Sequence, residues 1–322
     1  MASRCLRLGL VLVAAALSLA TASSRRVIIQ GVYDHSASDS LACPIAPIVN
    51  RHTLKIADRL SGEGLIDVAI MLGKDLVDYC GSLYRHFGIT MLPLEQTQPL
   101  DVSLIGDKST WARLRRFDLG NERFQRGDKL LFLDLDAYIT GIDVDAMFEL
   151  VSDTNGSRLV MGGELVGQAT VSNAIMLLSY QPSDFQALME TYRQLAAMEV
   201  ELKTDQELLA WHAQARGERH RLPATMTALV PLLYHQYATQ SELLVHPQDA
   251  AVPLVRIVRF GTSSAMSEHC EGLQRSSRMA AGLFHAPALS RLLAWICCTG
   301  RLVADTITMH HLKVMVLKLE VD

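Results

Sequence analysis

Apolar residues fall into short runs and helical spacings that alternate along the chain. Val27 to Val32 is a β-type run, and Arg51 to Leu60 follows with Leu54, Ile56 and Leu60 on or near one helical face. Gly62 and Gly64 break that helix before a second strand at Ile66 to Leu72. A helix over Asp75 to Phe87 and a short strand over Ile89 to Leu92, ending at Pro93, come next. Asp107 to Leu119 reads as a further helix leading to the apolar run Lys129 to Leu133. This succession of strands and helices predicts a parallel sheet with right-handed crossovers. Downstream, Leu159 to Met161 and Ala174 to Leu178 are strands, with Met176, Leu177 and Leu178 in the core. Helices follow from Ser183 to about Glu201 and from Glu207 to Ala215. Beyond Pro223 the pattern weakens to a strand within Leu254 to Phe260 and a helix around Leu289 to Ile296. With no evident linker, one α/β domain over 27–296 is expected, followed by a tail over 297–322.

The run Lys129 to Leu133 ends in two carboxylates, Asp134 and Asp136. A strand alternates its side chains, so residues i and i+2 share one side as the chain leaves the sheet. In open parallel sheets ligands bind beyond the carboxyl ends of strands. Two acids delivered there can hold a hard divalent cation through oxygen ligands, and such a cation can neutralise a diphosphate. The plain alternative is a pair of solvated loop acids ahead of a helix starting near Asp143. An amphipathic pattern there (Val144, Met147, Phe148, Val151) follows the buried strand.

Composition narrows the reading. The 322 residues are 49% apolar and 20% charged, with a formal net charge of −4. That length supports a full core, and the slightly acidic balance, without a basic aromatic cluster, argues against nucleic acid. Arg4 and Arg7, the apolar stretch Leu8 to Ala20 and the small residues Ala20-Thr21-Ala22 read as an export signal over 1–22. The same segment can instead be retained as a membrane anchor, and either fate places the chain in the secretory pathway or outside the cell. Cleavage would leave five of the six cysteines: Cys43, Cys80, Cys270, Cys297 and Cys298. None has zinc-site spacing, and an odd number leaves at least one unpaired or joined to another chain. Asn155-Gly156-Ser157 is a glycosylation sequon.

Four segments then stand in a specific order: STWARLRRF (Ser109 to Phe117), KLLFLDLDAYITG, SNAIMLLSYQPSDF (Ser172 to Phe185) and TDQELLAW (Thr204 to Trp211). A weaker fifth is FHAPALSRLLAW (Phe284 to Trp295). Together they resemble the family 8 retaining glycosyltransferases, particularly the glycogenin-like branch, over roughly Ile66 to Trp295. The resemblance implies a GT-A fold, a Rossmann-like and mostly parallel central sheet with flanking helices, using Mn²⁺ or Mg²⁺ and a UDP-sugar donor. By that analogy Asp134, Asp136 and His285 hold the metal. Arg113, Asn173 and Arg291, with the two aspartates, meet the nucleotide. Asp205 and Gln206 line the sugar and face the reacting carbon, although Asp205 could equally cap the helix near Glu207.

The pattern also departs from the family. Ser172-Asn173-Ala174 lacks the family glycine, Leu135 replaces a small residue between the acids, and Ala288 and Arg291 replace a glycine and a lysine. Arg259-Phe260-Gly261 offers a rival register for the histidine motif, with arginine in the ligand position. Arg113 and Arg116 on one helix would ordinarily form a solvated face.

Glucose, galactose, xylose and glucuronic acid donors all suit such a scaffold, and the acceptor is expected to be a glycan or protein. Tyr33, Tyr180 and Tyr192 are candidates for self-glucosylation. A sugar- or protein-binding module on the same fold is the competing reading, since fold does not fix function. A haloacid-dehalogenase-type phosphohydrolase is disfavoured, because its D-x-D usually opens the domain and is followed by Gly-Thr.

Overall fold

A computed structural model describes residues 24–33, 43–44, 46–61, 66–94, 111–119, 123–135, 137–139, 144–153, 157–163, 171–218, 227–229 and 257–259. Its centre is a six-stranded sheet ordered β3-β2-β1-β4-β7-β6. The strands are β1 (Arg26–Tyr33), β2 (Asp67–Gly73), β3 (Thr90–Leu94), β4 (Lys129–Leu133), β6 (Leu159–Gly163) and β7 (Val171–Ser179). A smaller sheet, ordered β5-β9-β8, combines β5 (Ala137–Ile139), β8 (Thr227–Leu229) and β9 (Ile257–Arg259). β1 pairs in parallel with β2 and β4, and β2 with β3, whereas β7 runs antiparallel to both β4 and β6. The α/β class and the mostly parallel central sheet with flanking helices match the expectation.

The helices are α1 (Ala46–Ser61), α2 (Lys74–His86), the single turn α3 (Trp111–Leu114), α4 (Asp145–Phe148), α5 (Asp184–Ala197) and α6 (Asp205–Ala215). They cover both faces of the sheet, which explains the near-continuous apolar strands. Alternation divides each strand between two cores. Val27, Ile29, Leu130, Phe132, Met176 and Leu178 pack with Leu114, Leu188 and Leu208 on one side. Ile28, Leu131, Leu133, Ile175 and Leu177 pack with Ile48, Leu54, Leu76 and Phe148 on the other. Pro93 lies within β3 rather than ending it, because β3 is an edge strand and a missing N–H is tolerated there.

Two expected helices are shorter than their sequence pattern. The segment read as Asp107 to Leu119 contains α3 and a 3₁₀ turn at Arg115–Phe117, with 107–110 outside the described residues. The helix after the acid pair is only α4, although Val144, Met147, Phe148 and Val151 are all buried as their spacing implied. A disulfide joins Cys43, ahead of α1, to Cys80 on α2. Tyr180 and Tyr192 are buried in the core, which removes both as self-glucosylation sites; Tyr33 ends β1. Asn155 lies outside the described residues, as do 1–23 and the expected tail over 297–322. Among the described residues no helix is long and apolar enough to cross a membrane.

Candidate functional site

The chain order winds from β1 outward through β2 to β3, then returns past β1 to β4. β1 and β4 therefore flank the point where winding reverses, and crevices beyond the carboxyl ends of strands at such points bind ligands. Asp134 leaves β4 at that point, where Gln30 of β1 is in register with Leu133.

The turn after β4 is fixed by buried polar groups. The Asp134 N–H donates to the Ala174 carbonyl at 2.9 Å, and the Ala137 N–H donates to the Asp134 carbonyl at 3.0 Å. Gln30 Nε2 donates to the carbonyls of Ala137 at 2.8 Å and Asp134 at 3.2 Å. Asn50 Nδ2 donates to Gln30 Oε1 at 2.7 Å, while Asn50 Oδ1 accepts from the Ile139 N–H at 2.9 Å. Both amides are fully buried. Each hydrogen bond contributes about 1 kcal/mol net, and each orphaned group would cost more. Gln30 is the one side-chain amide in the apolar run VIIQGVY, a signal present in the sequence itself.

Gly31 adds a steric condition. Its φ is +65°, and a Cβ there would lie 2.5 Å from Leu135 Cδ2. The bulky residue between the two acids is thus accommodated by a glycine on the neighbouring strand.

Four elements converge beside the turn. Arg116, just after α3, is 2% exposed and donates through Nη2 to Asp134 Oδ1 and through Nη1 to the Asn173 carbonyl at 2.7 Å. Arg113 Nη2 stands 3.9 Å from Asp134 Oδ2, with its side chain 42% exposed. The two arginines are three residues apart and address one carboxylate, so the expected solvated face is corrected: the inner arginine is core. Asn173, on β7, is buried and donates through Nδ2 to Asp205 Oδ2 at 2.5 Å.

Asp205 is not the cap of its helix. Thr204 is, accepting from the Glu207 N–H at 3.3 Å, and the Glu207 carboxylate accepts from the Lys203 N–H at 2.7 Å. Asp205 is the first residue of α6 and is buried. Burial raises its pKa above the ordinary carboxylate value, opposed by the charges of Arg113 and Arg116 and by hydrogen bonds from Asn173 and the Gln206 backbone. Gln206 is half-buried beside it.

Asp136, His285 and Arg291 lie outside the described residues. The backbone of Arg259, centre of the rival register, pairs with Ala137 immediately after the acid turn. Asp134 is the one described member of the expected metal triad, and its two carboxylate oxygens face Arg116 and Arg113. Among the described residues no three His, Cys, Asp or Glu side chains group as metal ligands.

No protein-family model matches this chain, and no curated protein matches it. Among solved structures it is similar to the glycosyltransferase GlyE of Streptococcus pneumoniae TIGR4, with 15% identity and a TM-score of 0.44. That match covers 74% of this chain and 55% of GlyE, so the chain spans about half of that protein. The galactosyltransferase LgtC, in complex with donor and acceptor sugar analogues, matches with 12% identity and a TM-score of 0.47, covering 88% of this chain and 98% of LgtC. Mouse xyloside xylosyltransferase 1 matches with 12% identity and a TM-score of 0.43, covering 74% and 98%. Likeness at that level decides nothing about chemistry, which rests on the site's own residues.

Proposed function

We propose that this chain is a retaining glycosyltransferase of GT-A type, moving a hexosyl or pentosyl group from a UDP-sugar to a glycan or protein acceptor. The observation that carries the reading is the convergence of Arg113, Asp134, Asn173 and Asp205, from four separate segments, at the switch point between β1 and β4. A core needs no such meeting of charged groups, and a nucleotide-sugar site does.

The division of labour follows from chemistry. Breaking the bond from the anomeric carbon to the diphosphate leaves the electron pair on UDP, so the main demand is stabilising a departing anion. Arg113, half-exposed at the mouth, meets that charge. Asp205, held at the inner end by Asn173, and Gln206 beside it steady the positive charge growing on the sugar ring. The acceptor hydroxyl bonds to the anomeric carbon on the same face, and its proton passes to the departing diphosphate. The expected manganese ion at Asp134, Asp136 and His285 meets a different arrangement at Asp134, and no step here runs through a metal. The Cys43–Cys80 disulfide and the leader-like N-terminus support a place in the secretory pathway or outside the cell.

The test is UDP binding by calorimetry, followed by hydrolysis and transfer assays over a panel of UDP-sugars. Arg113→Met should weaken UDP binding at least tenfold, while Arg123→Met, distant from the carboxyl ends of the strands, should not. A folded wild-type chain that binds no UDP would refute the proposal.

A further inference from the structure

We propose that Arg116 is the resident counter-ion of the acid turn, so that a nucleoside diphosphate binds here on guanidinium charge and without a divalent ion. The inference deepens the nucleotide-sugar reading and rests on it for the identity of the ligand.

The first observation is the placement of Arg116. Its side chain is 3% exposed, and its guanidinium is divided between Asp134 Oδ1 and the Asn173 carbonyl. An arginine at that depth needs a carboxylate, because breaking a buried pair by removing one partner leaves an uncompensated charge. Asp134 drawn away to serve as a metal ligand would strand Arg116 with a single neutral carbonyl among its described partners. A cation at Asp134 would also sit against that guanidinium at close range, and against Arg113 on the other carboxylate oxygen.

The second observation is the balance of charge. Asp134, taken alone, would repel a diphosphate. Arg113 and Arg116 together offset the two described carboxylates of the site, Asp134 and the buried Asp205, and Arg113 is the half-exposed cation at the mouth. Guanidinium groups suit diphosphate oxygens through paired hydrogen bonds. Cationic residues from α3 and the 3₁₀ turn thus flank a position that the D-x-D pattern alone would assign to a metal.

Two measurements decide this. The first uses Mn²⁺ alone, read by the electron paramagnetic resonance signal of the free ion. Arg116→Met, which keeps the aliphatic stem but removes the counter-ion, should bind Mn²⁺ at least tenfold more tightly than wild type. Wild type binding Mn²⁺ as tightly as the folded variant would overturn the proposal. The second is calorimetric UDP binding by wild type in EDTA and in Mn²⁺. Affinities within fivefold of one another are expected, and a gain of fivefold or more with Mn²⁺ would overturn it. The second measurement needs no variant, so the proposal stays testable if Arg116→Met fails to fold. If folded wild type binds UDP in neither buffer, the nucleotide reading fails, and the Mn²⁺ titration still decides whether Arg116 excludes the metal.

Discussion

Introducing a methyl group at Gly31 is the most local perturbation of the acid turn. Gly31 has φ +65°, where an L-residue other than glycine pays about 1 kcal/mol. The added Cβ would lie 2.5 Å from Leu135 Cδ2 and 3.0 Å from Cγ, well inside the roughly 3.5–4.0 Å of carbon contact. Leu135 is only half-buried, so its side chain yields rather than the strand, at about 1 kcal/mol for an off-rotamer placement. Gly31→Ala should therefore cost about 2 kcal/mol of stability, as the sum of those backbone and rotamer costs. Leu135→Ala removes the clashing atoms, so in that background Gly31→Ala should cost only the backbone share, about 1 kcal/mol. Urea denaturation of the four proteins gives the difference, a coupling of about 1 kcal/mol between residues that are remote in sequence. An equal cost of Gly31→Ala in both backgrounds would refute the steric argument and leave backbone strain alone.

Asp205→Asn keeps the contact with Asn173 but removes the charge. Transfer should fall at least 100-fold while UDP affinity changes by less than about threefold, since loss of one transition-state contact of this kind typically costs that much; a comparable loss of UDP binding would place Asp205 at the diphosphate end instead. Reducing the Cys43–Cys80 bridge, whose sequence separation is 37 residues, should cost about 4 kcal/mol on the chain-entropy relation. Urea midpoints with and without reductant measure that cost, and unchanged midpoints would count against it. His212 is buried, and its ring Nδ1 lies 2.8 Å from the Thr191 hydroxyl. Burial, with Arg216 and Arg158 nearby, lowers its pKa from 6.5 to about 4. The ring is thus neutral in the fold, so its share of stability is complete above pH 6.5 and is lost as pH falls toward 4. That loss amounts to about 3 kcal/mol between pH 7 and pH 4, and His212→Gln should flatten the fall in stability over that interval.

The strands of the central sheet were legible because both their faces are buried, which writes each as an apolar run. What the runs could not carry was direction: Ala174 to Leu178 read as a strand, but its antiparallel pairing with β4 depends on contacts distant in sequence. The three-residue strand β5 was hidden for the same reason, since nothing local distinguishes Ala137–Ile139 from a loop until β9 pairs with it. In the site, Asp134 was legible from the strand that delivers it. Arg116 was not, because an arginine beside another on a short helix reads as solvated unless its carboxylate is known. The cap at α6 shows what a local rule can and cannot settle. Asp205 and Thr204 both suit the start of a helix, and only the contact with Asn173 on β7 separates the cap from the site.

Asn173 explains why the two ends of this site should act together. Its carbonyl is held by Arg116, the partner of Asp134, and its side-chain amide holds Asp205. On the proposed reading, one residue of β7 therefore sets the distance from the diphosphate end to the sugar end, and both of its bonds lie in the buried interior, where an unmade partner is costly. A core could satisfy Asn173 with any neighbouring carbonyl. It would not need to spend a buried aspartate on it, nor to raise that aspartate's pKa by burial in doing so. The arrangement makes sense if the two carboxylates must stay fixed while charge moves between them. Negative charge then gathers on the leaving diphosphate near Arg113, and positive charge on the sugar near Asp205. Donors and acceptors that are already fixed need no reorganisation when that charge develops, which is the condition under which electrostatic stabilisation is largest.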